Sequence, residues 1–175
     1  MCDFMTLPPL PDNAVRLGVT VDDWRGAIRA SGEALVAAGA TLDGYTDRMI
    51  QVIDEFGSYI VIAPGLALAH ARPGPDILSD ALSVVTLAEP VSFGHPHNDP
   101  VRVILGLAVT TPDSHVTSVA SLANVFNDSA AIPALADAQS VDEVRSVLGI
   151  PAAPDALAEP AAQTDATAPT GHPEA

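Results

Sequence analysis

His70 stands alone among alanines and leucines in YIVIAPGLALAHARPG, residues 59–74, where an apolar run crosses a Pro-Gly break. An imidazole in that setting is either a core or turn histidine satisfied by backbone or a functional group, and a functional group needs a second residue beside it. His115, in TPDSH, falls in the first turn of a predicted helix. Unpaired backbone N–H groups and the helix dipole there favour an anion such as a phosphoryl group, the alternative being a solvated residue at a helix start. His95 and His97, in FGHPHNDP, flank a proline and could present two imidazoles to a metal. No Cys or Glu cluster with ligand spacing accompanies them, so no metal is assigned. The chain has no G-x-S-x-G elbow, no Walker-type glycine loop, no dinucleotide glycine fingerprint and no H-E-x-x-H. All seven basic residues are arginine, and without lysine both Schiff-base and P-loop chemistry are excluded.

The elements that must position these histidines follow from periodicity. DDWRGAIRASGEALVAAG, from Asp22, opens on carboxylates, ends on glycine and sets Trp24, Ile28 and Leu35 near one face, which predicts a helix. GYTDRMIQVIDEFG repeats Tyr45, Met49, Ile53 and Phe56 at three- and four-residue spacing and predicts a second. YIVIA reads as a short strand, and LSVVTLA and VRVILGLAV as strands too continuously apolar for a sheet with one wet face. DSHVTSVASLANVFND offers Asp113 or Ser114 as N-cap with Val119, Leu122 and Phe126 as its stripe, and SVDEVRSVLG opens on a capping box, Ser140 to Glu143. Helices flanking a buried sheet make the class α/β, with α+β as the alternative.

At 175 residues and 48% hydrophobic content the chain can bury a real core without staples. A formal charge of −15 would repel a polyanion from most of the surface, so nucleic acid is excluded as a partner. Cys2 has no second cysteine to pair with, and MCDFMTLPPLPDN has neither a basic n-region nor an apolar h-region. A cytoplasmic protein is expected. Residues 1–13, with LPPLP, are expected to be a flexible N-terminus, 14–150 the single folded domain, and 151–175, with five prolines and many alanines, a disordered acidic tail.

Two long stretches, DDWRGAIRASGEALVAAGATLDGYTDRMIQVIDEFGSYIVIAPGLALAHARP and LAEPVSFGHPHNDPVRVILGLAVTTPDSHVTSVASLANVFND, resemble the enzyme IIA component of the bacterial sugar phosphotransferase system (PTS), mannitol/fructose/ascorbate group, over about residues 20–148. The likeness is specific because separated features occur in order. A central LV precedes a glycine in the first helix, a tyrosine opens the next, APG precedes the histidine, PV and FG precede NDPV, and Thr-Pro-Asp-Ser-His starts a later helix. The resemblance implies a type-2 (mannitol-type) EIIA fold: a single-domain sandwich with a central mixed β-sheet flanked by helices.

It also implies that His70 is the phosphoryl acceptor and that His115, beside it in space, stabilises the phosphoryl group, with neither metal nor cofactor required; Arg72 and Ser114 are candidate binding residues by their positions next to these two. The implied partners are the phosphocarrier HPr, an enzyme IIB and, indirectly, the membrane enzyme IIC. APGLALAHARPG and FGHPHNDPV are most similar to ascorbate-type enzymes IIA. Two departures stand out: Ala69 occupies the position of a proline usual in the family, and Val52 that of an arginine found in mannitol-type members, for which Arg72 is the candidate substitute. The alternatives in other classes are a regulatory module signalling through the same phosphohistidine and a binding protein that uses its histidines without phosphorylation.

Overall fold

A computed structural model describes residues 7–128 and 130–150, without the Ser114 side chain. The strands β1 (Val15–Val19), β2 (Val61–Ala63), β3 (Leu66–Ala69), β4 (Ala81–Val91) and β5 (Val101–Ala108) form one five-stranded sheet in the order β1-β4-β5-β3-β2. β1 runs parallel to β4 and β3 parallel to β5, whereas β4–β5 and β2–β3 are antiparallel, so the sheet is mixed. The helices are α1 (Trp24–Ala37), α2 (Asp43–Phe56), α3 (Pro112–Val125), α4 (Ala131–Asp137) and α5 (Val141–Leu148).

Alternation along the central strands splits the core in two. Ala67, Ala69, Val85, Leu87 and Ile104 pack with the apolar sides of α1 and α2, while Leu66, Leu68, Val84, Leu105 and Leu107 pack with Leu122, Ile132, Leu135, Val144 and Leu148 of α3, α4 and α5. The result is an α/β sandwich, as expected. Alanines and one glycine lie among the strand residues on the α1 face. A Cβ added at Gly106 would lie 2.3 Å from the hydroxyls of Ser31 and Ser83, so glycine there is what allows α1 to approach β5 this closely.

The predicted helices form with their caps. Asp23 accepts the Gly26 N–H to start α1, and Ser140 accepts the Glu143 N–H to start α5. The α3 start differs: the helix begins at Pro112, so neither Asp113 nor Ser114 is its N-cap. Phe56, expected on the buried stripe of α2, is 71% exposed at its last turn. Only Val61–Ala63 of YIVIA is strand, and three elements were not expected: β1, α4 and β3. β3 is LALA, whose residues favour helices; its extended form is imposed by β5 on one side and β2 on the other.

The N-terminal stretch expected to be flexible is packed where it is described, in residues 7–13. Leu10 is buried, the Leu82 N–H donates to Pro9 at 2.8 Å, and buried Arg145 donates to the Leu10 carbonyl and the Asp12 carboxylate. An arginine held at 5% exposure needs such acceptors, and the segment supplies them. The expected tail, 151–175, lies outside the described residues. No helix among those described is long and apolar enough to cross a membrane.

Candidate active site

β3 and β5 are parallel neighbours, so their carboxyl ends finish side by side. His70 follows β3 directly, and β5 leads through a short turn to α3, whose fourth residue is His115. Sequence neighbours of neither residue reveal this meeting: 45 positions apart, the two rings stand with centroids 5.1 Å apart and planes at 43°. His115 stands in the first turn of α3, its own N–H already donated to the Thr111 carbonyl.

The chemistry of His70 is set by one bond. Its Nδ1 lies 2.8 Å from the Leu68 carbonyl. A carbonyl oxygen only accepts, so Nδ1 carries the proton, and in the neutral ring the lone pair is on Nε2. Burial pushes the pKa of His70 below the usual imidazole value, against the Leu68 carbonyl, which favours the cation; nearby His115 lowers it further. Burial thus favours the neutral ring, in one tautomer, with the lone pair on Nε2 and no hydrogen-bond partner for that nitrogen among the described residues. His115 differs: its Nδ1 is buried and has no hydrogen-bond partner among the described residues. Such an orphaned imidazole nitrogen is costly unless a ligand completes it.

Both rings open into a cleft of about 490 Å³, lined also by Arg48, Gln51, Val52, Glu55, Phe56, Tyr59, Ala71 and Arg72. Arg72 is exposed at its rim, and its charge opposes the burial that raises the Tyr59 phenol pKa. Tyr59 presents its ring edge-on to His70, with centroids 6.0 Å apart. Exposed Phe56 and Tyr59 make the cleft wall apolar. The Ser114 backbone belongs to the first turn of α3; its side chain lies outside what is described.

Two residues of the site were missed by sequence reasoning. Arg48, one helical turn before Val52, enters the cleft and donates to both Asp76 carboxylate oxygens, at 2.8 and 2.6 Å, and to the Arg72 carbonyl at 2.9 Å. The pair holds the Asp76 carboxyl below its usual pKa and raises that of Arg48. A cation therefore does come from α2, although Val52 does not supply it. Tyr45, expected only as a core residue, has its hydroxyl bonded between the two strand ends: it accepts the Ala71 N–H at 3.0 Å and donates to the Leu107 carbonyl at 2.6 Å. Burial pushes its pKa up to about 12, so the phenol stays protonated. The available signal was the buried hydroxyl itself, which always needs partners.

His95 and His97 do not join this site. Their loop braces the opposite end of β3, where the Gly65 N–H donates to Asn98 at 2.9 Å and Gly65, at φ +83°, makes the turn that glycine alone adopts cheaply. His95 Nδ1 accepts the N–H groups of His97 and Asn98, both at 3.1 Å, and is spent on backbone. Among the described residues no three His, Cys, Asp or Glu side chains group as a metal site would require.

Comparison with known proteins agrees with this architecture. Residues 9–149 match the family model described as "Phosphoenolpyruvate-dependent sugar phosphotransferase system, EIIA 2". An ascorbate-specific PTS system EIIA component of Salmonella choleraesuis is 31% identical over 138 residues, 78% of this chain and 90% of that protein. Among solved structures, IIA mannitol from Escherichia coli superposes with a TM-score of 0.70 at 28% identity, covering 79% of this chain and 98% of that one. A complex of Escherichia coli enzyme IIA mannitol with phosphorylated enzyme IIB mannitol matches with a TM-score of 0.70 at 26% identity, over 80% of this chain and 96% of that one.

Proposed function

The chain belongs to the EIIA 2 family of the phosphoenolpyruvate-dependent sugar phosphotransferase system, and from that membership we propose that His70 takes up a phosphoryl group on Nε2 and hands it on. The protein is a phosphotransferase of the kind that works through a phosphohistidine. The observation that carries the assignment to His70 is the pairing of the two rings at 5.1 Å, with one His70 nitrogen tied to Leu68 and the other free.

In the uptake step the Nε2 lone pair forms a bond to phosphorus while the bond from phosphorus to the donor breaks, its electron pair returning to the donor. The Leu68 carbonyl holds the Nδ1 proton and steadies the positive charge that develops on the ring. His115 and the α3 N-terminus stabilise the equatorial oxygens, Arg72 adds positive charge at the rim, and Ser114 is the remaining candidate donor. The apolar wall of Phe56 and Tyr59 excludes water that would hydrolyse the labile P–N bond. Hand-over reverses these events towards the acceptor.

We assign the donor as HPr and the acceptor as an enzyme IIB, serving a membrane enzyme IIC, with the exchange in the cytoplasm. The enzyme IIB reading draws support from the related mannitol complex, and an ascorbate-type system from the curated relatives. The test is to mix the protein with HPr, enzyme I and phosphoenolpyruvate. One acid-labile phosphate per chain is expected on the wild type and none on His70→Ala; undiminished labelling of that variant sinks the assignment.

A further inference from the structure

We propose that the Tyr45 hydroxyl is a positioning residue that holds the ends of β3 and β5 apart and thereby aims His70 at His115. The inference rests on the reading of His70 as acceptor, and its starting point is the register of the sheet. β3 and β5 pair in parallel from Leu66↔Val103 to Ala69↔Gly106, and the Val103 N–H donates to the Gly65 carbonyl at 3.0 Å. Residues 65, 67 and 69 therefore turn their backbone groups towards β5, and in a parallel ladder the next bond along would join the Ala71 N–H to the Leu107 carbonyl.

That bond is replaced by a phenol. The Tyr45 oxygen accepts the Ala71 N–H at 3.0 Å and donates its proton to the Leu107 carbonyl at 2.6 Å, so it occupies the place of the missing rung. The Ala71 carbonyl, at 3.3 Å, is its only other hydrogen-bond neighbour among the described residues. Both partners of the displaced rung stay satisfied, yet the strands are forced apart by the width of an oxygen atom. One of these segments carries His70 directly before Ala71; the other continues from Leu107 to His115. Tyr45 reaches the gap from α2, on the face of the sheet opposite to α3, so it spaces the two segments without entering the cleft. The other backbone acceptor involved is consistent: the Leu68 N–H donates to Ile60 on the β2 side, which leaves the Leu68 carbonyl facing away from β5 and available to His70 Nδ1.

Without the hydroxyl the two backbone groups must either remain unpaired or close into the direct rung, and closing draws Ala71 towards β5 and turns His70 with it. Tyr45→Phe keeps the buried ring and removes the spacer alone. Uptake of phosphoryl from phosphorylated HPr should slow about 10- to 100-fold, because an ångström of misplacement is enough for that, while the apparent affinity for HPr changes less than about twofold, since the cleft rim is untouched. The ¹⁵N resonances of His70, read without any donor, should show the Nδ1–H tautomer losing its dominance.

Unchanged rate and unchanged tautomer in folded Tyr45→Phe overturn the inference, as does a rate that falls only with the folded fraction. His70→Ala run in parallel separates the two ideas: labelling that persists there removes the acceptor assignment, whereas a dead His70→Ala beside a wild-type Tyr45→Phe removes the spacer alone. Should Tyr45→Phe fail to fold, 3-fluorotyrosine incorporated into Tyr59→Phe, where Tyr45 is the only tyrosine, weakens the phenol as acceptor with little change of shape. Slower uptake than in Tyr59→Phe itself is expected, and an equal rate overturns the proposal.

Discussion

The molecule carries two pairs of neighbouring histidines, and they have opposite fates. His70 and His115 are 45 positions apart, yet their rings meet at 5.1 Å, with the His115 Nδ1 buried and the His70 Nδ1 held by the Leu68 carbonyl. His95 and His97 are two positions apart, and their rings stand 6.2 Å from each other in a loop where His95 Nδ1 accepts two backbone N–H groups. The second pair is the one that sequence proximity favours. The difference teaches how strand ends gather distant side chains: two adjacent parallel strands deliver their following residues to one place, whereas a loop that folds on itself consumes its imidazole in holding its own shape.

The comparison breaks most simply with the largest effect. His70→Ala should lose labelling entirely, while the double variant His95→Ala/His97→Ala keeps it; the reverse pattern would assign the chemistry to the loop. Next, His115→Ala retains the acceptor and the helix N–H groups, so rapid-quench assays should show uptake that persists but slows about a hundredfold, the effect of losing one donor worth about 3 kcal/mol. Wild-type rates in both directions would remove His115 from the site.

A smaller effect is expected at Arg48. Arg48→Gln frees Asp76 and the Arg72 carbonyl, and should slow transfer about tenfold and cost about 1 kcal/mol, because a partly exposed pair contributes modestly to stability. Arg48→Lys should not rescue the rate, since a lysine cannot bond both Asp76 oxygens in the plane of a guanidinium. Equal rates in the three proteins would make the pair merely a surface contact.

The pH dependence sharpens the contrast further. Because burial lowers the pKa of His70 in the folded chain, the neutral, reactive ring persists as pH falls through the ordinary imidazole range, and uptake should decline only below it. The sign for stability is the same. The unfolded chain takes up the proton first, so the contribution of His70 is intact above the usual imidazole value and is lost as pH falls through that value to the lower folded one. A midpoint at or above the ordinary value, measured on phosphoryl uptake, would contradict the buried-ring account. The smallest effect belongs to the loop: His95→Ala should alter transfer less than about threefold while costing about 1 kcal/mol, as two backbone N–H groups lose their acceptor.

Local periodicity was enough to read α1, α2, α3 and α5, the strands β4 and β5, and with them the α/β class, because each buries a face whose spacing repeats within a few residues. Phe56 shows the limit of that rule: it keeps the period of the α2 stripe and is still exposed, as the last residue of the helix and part of the cleft wall. LALA shows another. Nothing local makes it a strand; pairing with β5 and β2 does. β1 and α4 escaped for the same reason, being short and without a strong period of their own.

His70 and His115 were singled out by the sequence, through an apolar setting, a helix start and a family pattern. The sequence alone established the residue types: imidazoles, arginines without lysine, and a tyrosine one turn before Arg48. Tertiary structure alone decided which imidazole nitrogen is free, that the cation from α2 is Arg48, and that a phenol stands where a strand bond would be. Those facts depend on the register of β3 against β5 and on how closely α2 lies to both, and register and packing distance are set by contacts between residues far apart in the chain, which no spacing along it encodes.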